Sequence, residues 1–283
     1  MNAPDFVAIG HVTLDRFGDE VRPGGAAFYS AVTAHRLGLS VGILTSHAVD
    51  FPLDAIPSRI EVVSLEAPAT TVFEYEAAGS LERRQKLVST ARPLAVRDLP
   101  EDWREAPLAL LAPVAQEVDP RLASSFDDGS VGAAAQGWMR AMDKDSWVVA
   151  QPWAGAREVL NRVLAVFVSA EDLRGHEAQI TEWVQRVPVA VVTAGSTGAL
   201  LYVNGERYEV HPRRTREVDP TGAGDVFAAT FLIQYQREGD PWAAAAAAAC
   251  AGALAIEGEG WSAVADRAAL DAALAEYQRD QMR

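Results

Sequence analysis

The chain has 283 residues and a formal net charge of −14, from 25 Lys and Arg against 39 Asp and Glu. That length suits one large domain, and a composition of 49% apolar and 23% charged residues can bury a sizeable core. So acidic a surface repels polyanions and argues against nucleic-acid or anionic-membrane partners, while leaving room for a local anion site. A single cysteine, Cys250, excludes an internal disulfide and a cysteine-based zinc cluster. No basic leader precedes the first apolar run, and the alanine-rich segment 242–256 is too short and weakly apolar to span a bilayer. The expected location is cytoplasmic.

In chain order, residues 6–14 read as one buried strand, followed by Gly24-Gly25 and a helix over 26–37 that Gly38 stops. Short strands are predicted at 41–45 and 60–65. Residues 71–76 alternate, with Thr71, Phe73 and Tyr75 on one face, and pair with 81–88 after Ala78-Gly79-Ser80 as a half-exposed hairpin. Apolar runs at 108–111, 131–135, 165–168 and 189–193 follow, separated by segments long enough for helices. This alternation predicts an α/β fold with a mostly parallel sheet between helical layers. Asn204-Gly205 marks a tight hairpin between 200–203 and 207–210. Helices are expected over 225–236, 241–257 and 263–281.

Several motifs are absent. No Gly-Lys-Ser or Gly-Lys-Thr ends a phosphate loop, and Phe227 stands where a dinucleotide fingerprint needs its third glycine. The histidines His11, His35, His47, His176 and His211 lack metal spacing and read as ordinary surface or core residues. One motif carries chemistry: Asp219-Pro220-Thr221-Gly222-Ala223-Gly224-Asp225, followed at once by an apolar helical run. A Pro and Gly turn that opens a helix presents unpaired amides at the positive end of the helix dipole, a ready anion cradle. Glycines at 222 and 224 clear the approach, and Asp225 would stand beside the anion, where a base belongs. The plainer reading is a helix start with an acidic residue in its first turn.

These seven residues resemble the C-terminal signature of the ribokinase-like PfkB family of carbohydrate kinases. Asp15 after the first strand, Gly24-Gly25 before the first helix, and the stretch from Thr193 to Gly198 before the hairpin fall in that family's order. The resemblance implies a single kinase domain over residues 1–283, a three-layer αβα sandwich with a small β lid from excursions near 15–23 and 70–90. It implies ATP as donor, Mg2+, a sugar or polyol acceptor, and a monomer or homodimer. By the same resemblance Asp225 is the base, and the amides of Gly222, Ala223 and Gly224 form the anion hole. Asp15, Gly24 and Gly25 hold acceptor hydroxyls. Thr193, Gly195, Gly198, Thr221, Gly222 and Gly224 face the nucleotide, and Asp219 lies near a monovalent cation such as K+, or simply caps its turn.

The sequence departs from the family at two places. Phe28-Tyr29-Ser30 replaces an expected asparagine, which weighs against ribose, and Ser169-Ala170-Glu171-Asp172 replaces Asn-x-x-Glu, leaving Glu171 or Asp172 as the magnesium-side carboxylate. The altered Ser169–Asp172 element, the Gly24-Gly25-Ala26-Ala27 segment and the run Ala253-Leu254-Ala255 before Glu257-Gly258 are together similar to the inositol-kinase branch. Arg140 follows an apolar run and could reach the acceptor pocket, its direction open. Arg213, Arg214 and Arg216 read either as a solvated face or as charge set against phosphates. Three functions compete: an ATP-dependent sugar or polyol kinase, a nucleoside kinase, and a silent ligand-binding homologue. Exposed aromatic faces among Phe28, Tyr29, Phe73, Tyr75 and Trp138 would favour the nucleoside.

Overall fold

The chain opens with β1 (Phe6–Ile9), which runs through the middle of the molecule with every side chain buried. The predicted strand 6–14 is in fact two. It divides after Gly10, a residue whose backbone lies so close to Ala112 that a Cβ would stand 2.1 Å from that carbonyl oxygen. The chain then leaves the core as β2 (Thr13–Phe17) and β3 (Glu20–Gly24), an antiparallel pair. Gly25, at φ +102°, turns it back into α1 (Ala26–Arg36), and a side chain there would meet the His11 carbonyl. β4 (Val41–His47) and β5 (Ile60–Glu66) follow, joined only by a short 3-10 turn at Leu53–Ala55.

β6 (Thr71–Ala78) and β7 (Glu82–Ser89) form the predicted hairpin, whose turn at 79–81 lies outside the described residues. The computed structural model describes residues 3–78, 82–127 and 129–281. After β8 (Leu108–Leu111) and β9 (Ser130–Ala134) come two strands that the sequence does not announce, β10 (Arg140–Met142) and β11 (Val148–Ala150). The expected helical crossovers are slight here: α2 (Ala156–Leu160), then β12 (Ala165–Ser169), α3 (Gln179–Trp183) and β13 (Val189–Thr193). Tryptophans fill that layer instead, Trp138 stacking on Trp153 at 4.7 Å and Trp153 meeting Trp183 edge-on at 5.5 Å. β14 (Ala199–Val203) and β15 (Glu206–Val210) flank Asn204-Gly205, both at positive φ, as a two-residue hairpin requires.

The chain ends in α4 (Ala223–Glu238), α5 (Pro241–Ala255) and α6 (Arg267–Gln281), the last starting four residues later than expected. Gly239 closes α4 at φ +68°, and the Asp240 carboxylate caps α5 by accepting from the Trp242 and Ala243 amides, with Pro241 preset for the first turn. No helix of the described residues is long and apolar enough to cross a membrane.

The nine-stranded sheet runs β15-β14-β13-β12-β9-β8-β1-β4-β5, parallel except for β14 and β15. One face packs α1 and α4–α6 through Phe28, Phe227 and Phe231; the other packs Leu122, Trp183 of α3, and Trp103, which lies against Gly42 of β4. A second sheet, β3-β2-β6-β7, stands apart as the small lid the sequence anticipates. Strand order reverses between β1 and β8, and ligands in open α/β sheets bind at the carboxyl ends of strands flanking such a switch. There the buried Glu117 carboxylate accepts from the amides of His11, Val114 and Ala115, tying both strand ends together.

Gly10→Ala should lower stability by about 1–3 kcal/mol, because the obstruction is backbone rather than a movable side chain. Urea unfolding of the two proteins measures the difference.

Candidate active site

Two elements bring carboxylates to the mouth of the switch point. Asp15 lies on β2, opposite Arg22 of β3 and Phe73 of β6, so all three share the lid face that looks toward the main sheet. Its side chain is buried and accepts from the Thr13 hydroxyl at 2.9 Å. Gly24 leaves it room, since a Cβ there would stand 2.3 Å from Asp15 Oδ2. Burial pushes the Asp15 carboxyl up to about 7, against the opposing pull of the Thr13 hydroxyl and Arg140.

Asp225 sits in the first turn of α4, half-buried at the cleft floor. Burial also pushes its carboxyl up to about 7; Arg140 opposes this, and Asp172 and Asp15 reinforce it. Preceding Asp225, Gly222 adopts φ +78° with Tyr29 of α1 directly beneath it, so a Cβ would come within 2.2 Å of the ring. Gly224 is exposed and faces open space. Among the described residues no backbone acceptor faces the Gly222, Gly224 or Asp225 amides, whereas the Ala223 amide turns to the Pro220 carbonyl at 3.3 Å. The cradle therefore opens on three donors, one of them the amide of Asp225 itself.

The direction of Arg140 is settled. At the base of β10, 14% exposed, it lies 4.0 Å from Asp172, donates to Gln136 Oε1 at 3.1 Å, and passes over the Phe73 ring at 5.8 Å. It is the cation that opposes the raised carboxyls of both Asp15 and Asp225. Its hairpin continues onto the lid, where the Leu87 amide donates to the Ser146 carbonyl and Arg84 stacks on Trp147.

Between the two carboxylates left open by the sequence, Asp172 is the one turned inward. The Ser169 hydroxyl donates to Asp172 Oδ2 at 2.5 Å and accepts from the Asp172 amide at 2.9 Å, while Glu171 is exposed. Asp219 is buried: its Oδ1 accepts from the Thr221 amide and hydroxyl, its Oδ2 from the Gly260 amide and Arg22 Nη1, both at 3.2 Å. Thr193 ends β13 half-buried, and Gly195 faces open space. Gly198 has a structural cause, because a Cβ there would stand 2.1 Å from the Val210 carbonyl of β15. Arg213 is paired with Glu257 at 2.8 Å, and Arg214 and Arg216 are exposed.

Phe28 lies in the core, Trp138 is stacked on Trp153, and Tyr75 stacks on Phe17 at 4.6 Å. Tyr75 and Tyr29 both have phenols raised well above the ordinary range, first by burial and then by Asp15. They form the aromatic part of the wall around the carboxylates. Arg22 escapes recognition from sequence alone, since it belongs to no motif and pairs with a residue 197 positions away.

Residues 108–267 match the pfkB family of carbohydrate kinases. A cytidine kinase of Thermococcus kodakarensis is 28% identical over 256 residues, covering 82% of this chain and 89% of that protein. An inositol 3-kinase of Oryza sativa subsp. japonica is 31% identical over 234 residues, 75% of this chain; the match spans only 56% of the rice protein. Among solved structures, a pyrophosphate-dependent kinase of the ribokinase family, complexed with a pyrophosphate analogue and myo-inositol, superposes with a TM-score of 0.79. It is 23% identical and the match covers 94% of this chain and 99% of that one, which speaks for the fold. With more than half its length matched and the three-layer architecture in place, the chain belongs to the pfkB family of carbohydrate kinases and has a ribokinase-like fold.

Proposed function

We propose that the whole chain is one kinase domain that transfers the γ-phosphoryl group of ATP to a hydroxyl of a cyclic polyol or sugar, with inositol the leading acceptor. The observation that carries the acceptor class is the polar character of the cleft. Asp15 and Arg140 offer an acceptor and donors for hydroxyls, while Phe28 and Trp138 are packed away and Phe73 and Tyr75 each have a face covered. A nucleoside acceptor is the second reading, favoured by the likeness to a cytidine kinase.

The cradle fits a phosphate chain: Gly224 carries no side chain to block it, and the amides of Gly222, Gly224 and Asp225 are free to donate. Asp172, held by Ser169, would be the protein carboxylate nearest a magnesium ion, which takes few protein ligands when phosphates supply the rest. When bound, the nucleotide and its metal supply the phosphoryl group and neutralise charge on its oxygens. Asp15 orients the acceptor hydroxyl. Asp225 takes its proton as the new O–P bond forms and the bond to the leaving diphosphate breaks. Arg140 favours the ionised form of Asp225 against the upward push of burial, and the lid excludes water.

The test is acceptor-dependent turnover across inositols, hexoses, ribose and nucleosides, with ATP and, given the pyrophosphate-dependent neighbour, pyrophosphate as donors. Asp225→Asn should lower kcat by roughly 10²–10⁴-fold. Unchanged turnover in that variant would remove the base assignment, and silence with every acceptor would favour a ligand-binding homologue.

In the wild type, activity should rise with pH through about 7 as Asp225 loses its proton. Arg140→Met removes the opposing cation, so the acid limb of its profile should move to higher pH.

Stability should run the other way. A carboxyl raised from 3.8 to about 7 stabilises the fold while protonated, and that contribution is lost as pH rises through about 7. Asp225→Asn should therefore melt higher than the wild type at pH 8, with the gap narrower at pH 5 and closing only toward 3.8, as thermal scans across that range will show.

A further inference from the structure

We propose that the guanidinium of Arg22 is the built-in cation of the Asp219 turn: it latches lid strand β3 to the turn that opens α4 and leaves no place for a monovalent metal ion there.

The residues around Asp219 do not fit a bound potassium ion. Its two oxygens already accept from four donors: the Thr221 amide and hydroxyl, the Gly260 amide, and Arg22 Nη1. A metal ion needs oxygen lone pairs turned toward it, and donors pointing at the carboxylate occupy them.

Arg22 is itself held from every side. Nε and Nη2 grip Glu20 as a fork, at 2.5 and 2.8 Å; Nη2 lies 3.5 Å from Glu259; and the group passes over the Phe17 ring at 5.3 Å. Its side chain is 25% exposed and that of Asp219 only 7%, so the pair sits at the rim with its carboxylate end dry. One guanidinium thus crosses 197 residues of sequence to join the sheet that carries Asp15 to the turn that carries the cradle and Asp225. A rigid planar fork suits that span in a way a spherical ion cannot. Beside the pair, a cavity of about 220 Å³ lined by Phe17, Arg22, Val218, Asp219 and Glu259 would admit a hydrated ion if Arg22 were shortened.

Arg22 is therefore a positioning residue. Its catalytic readout rests on the proposed kinase activity, whereas its ion readout does not. Thermal unfolding of the wild type at constant ionic strength should give the same midpoint in potassium as in tetramethylammonium, which is too large to be coordinated. Arg22→Gln should melt lower in tetramethylammonium and recover part of the loss in potassium. Arg22→Lys, which keeps the charge, should stay indifferent to the ion.

With an active acceptor in hand, Arg22→Gln should lower kcat about tenfold in tetramethylammonium, at little change in acceptor KM, and regain rate in potassium. A wild type that gains stability or rate from potassium would overturn the proposal. So would an Arg22→Gln protein that ignores potassium or fails to fold in both ions; folding in potassium alone would support it. Absence of turnover with every acceptor counts against the kinase reading only, and the melting comparison still decides the role of Arg22.

Discussion

Everything around the cleft answers to one electrostatic constraint: two carboxylates, the buried Asp15 and the half-buried Asp225, share Arg140 as their opposing cation. Burial disfavours the charged form of each, and a single guanidinium offsets that only in part. The rest of the fold meets the cost. Asp15 comes from the lid, Arg140 from a hairpin docked on the lid's far edge, and Asp225 from a helix whose Phe227 and Phe231 pack on Phe167 of β12. Raised carboxyls are also what a base near neutral pH requires, so the strain in the ground state and the proposed chemistry have one source.

Bringing the lid over the cleft depends on how the first strand ends. β1 is locked between β4 and β8, and the ladder runs on to the Gly10 amide, which donates to the Leu44 carbonyl, and the Ala112 amide, which donates to the Ile9 carbonyl. There the chain leaves the sheet, where Glu117 accepts the His11 amide together with those of Val114 and Ala115. His11 in turn places its ring nitrogens against the Arg92 carbonyl and the Thr71 hydroxyl, tying the start of β6 to the same corner. Lid and sheet are thus joined at their roots by buried polar contacts, which have directional geometry that apolar packing lacks. Asp15 inherits its position from that corner.

What could be read from sequence was local. Asn204-Gly205, the Gly239-Asp240-Pro241 junction and the signature ending at Asp225 each contain their own stereochemical reason within a few residues. Alternation in residues 71–76 likewise exposed the lid, because Phe73 and Tyr75 do share its inner face with Asp15. The break after Gly10 was hidden in a mostly apolar run, since the carboxylate that takes the next amide, Glu117, lies 106 residues from His11. Helical crossovers after β8 and β9 were expected from segment length, yet stacked tryptophans and short 3-10 turns cover that face with less chain. Choosing Asp172 over Glu171 required the Ser169 hydroxyl, and the direction of Arg140 required β11. Contacts of this kind leave no period or spacing in the sequence.

An acidic protein that handles phosphate poses a last question of scale. A net charge of −14 is spread over the whole surface, and beyond about 8 Å at physiological salt each charge is largely screened. Inside the cleft the distances are shorter and the medium less polarisable, so a few oriented donors outweigh the distant field. The amides of Gly222, Gly224 and Asp225 lie at the positive end of a 16-residue helix, and Arg140 opposes the raised carboxyl of Asp225. Arg213, the first of the basic run before the signature, is bound to Glu257 instead. Local geometry thus sets the affinity for an anion, and the global charge discourages long polyanions that could not fit within so narrow a cradle.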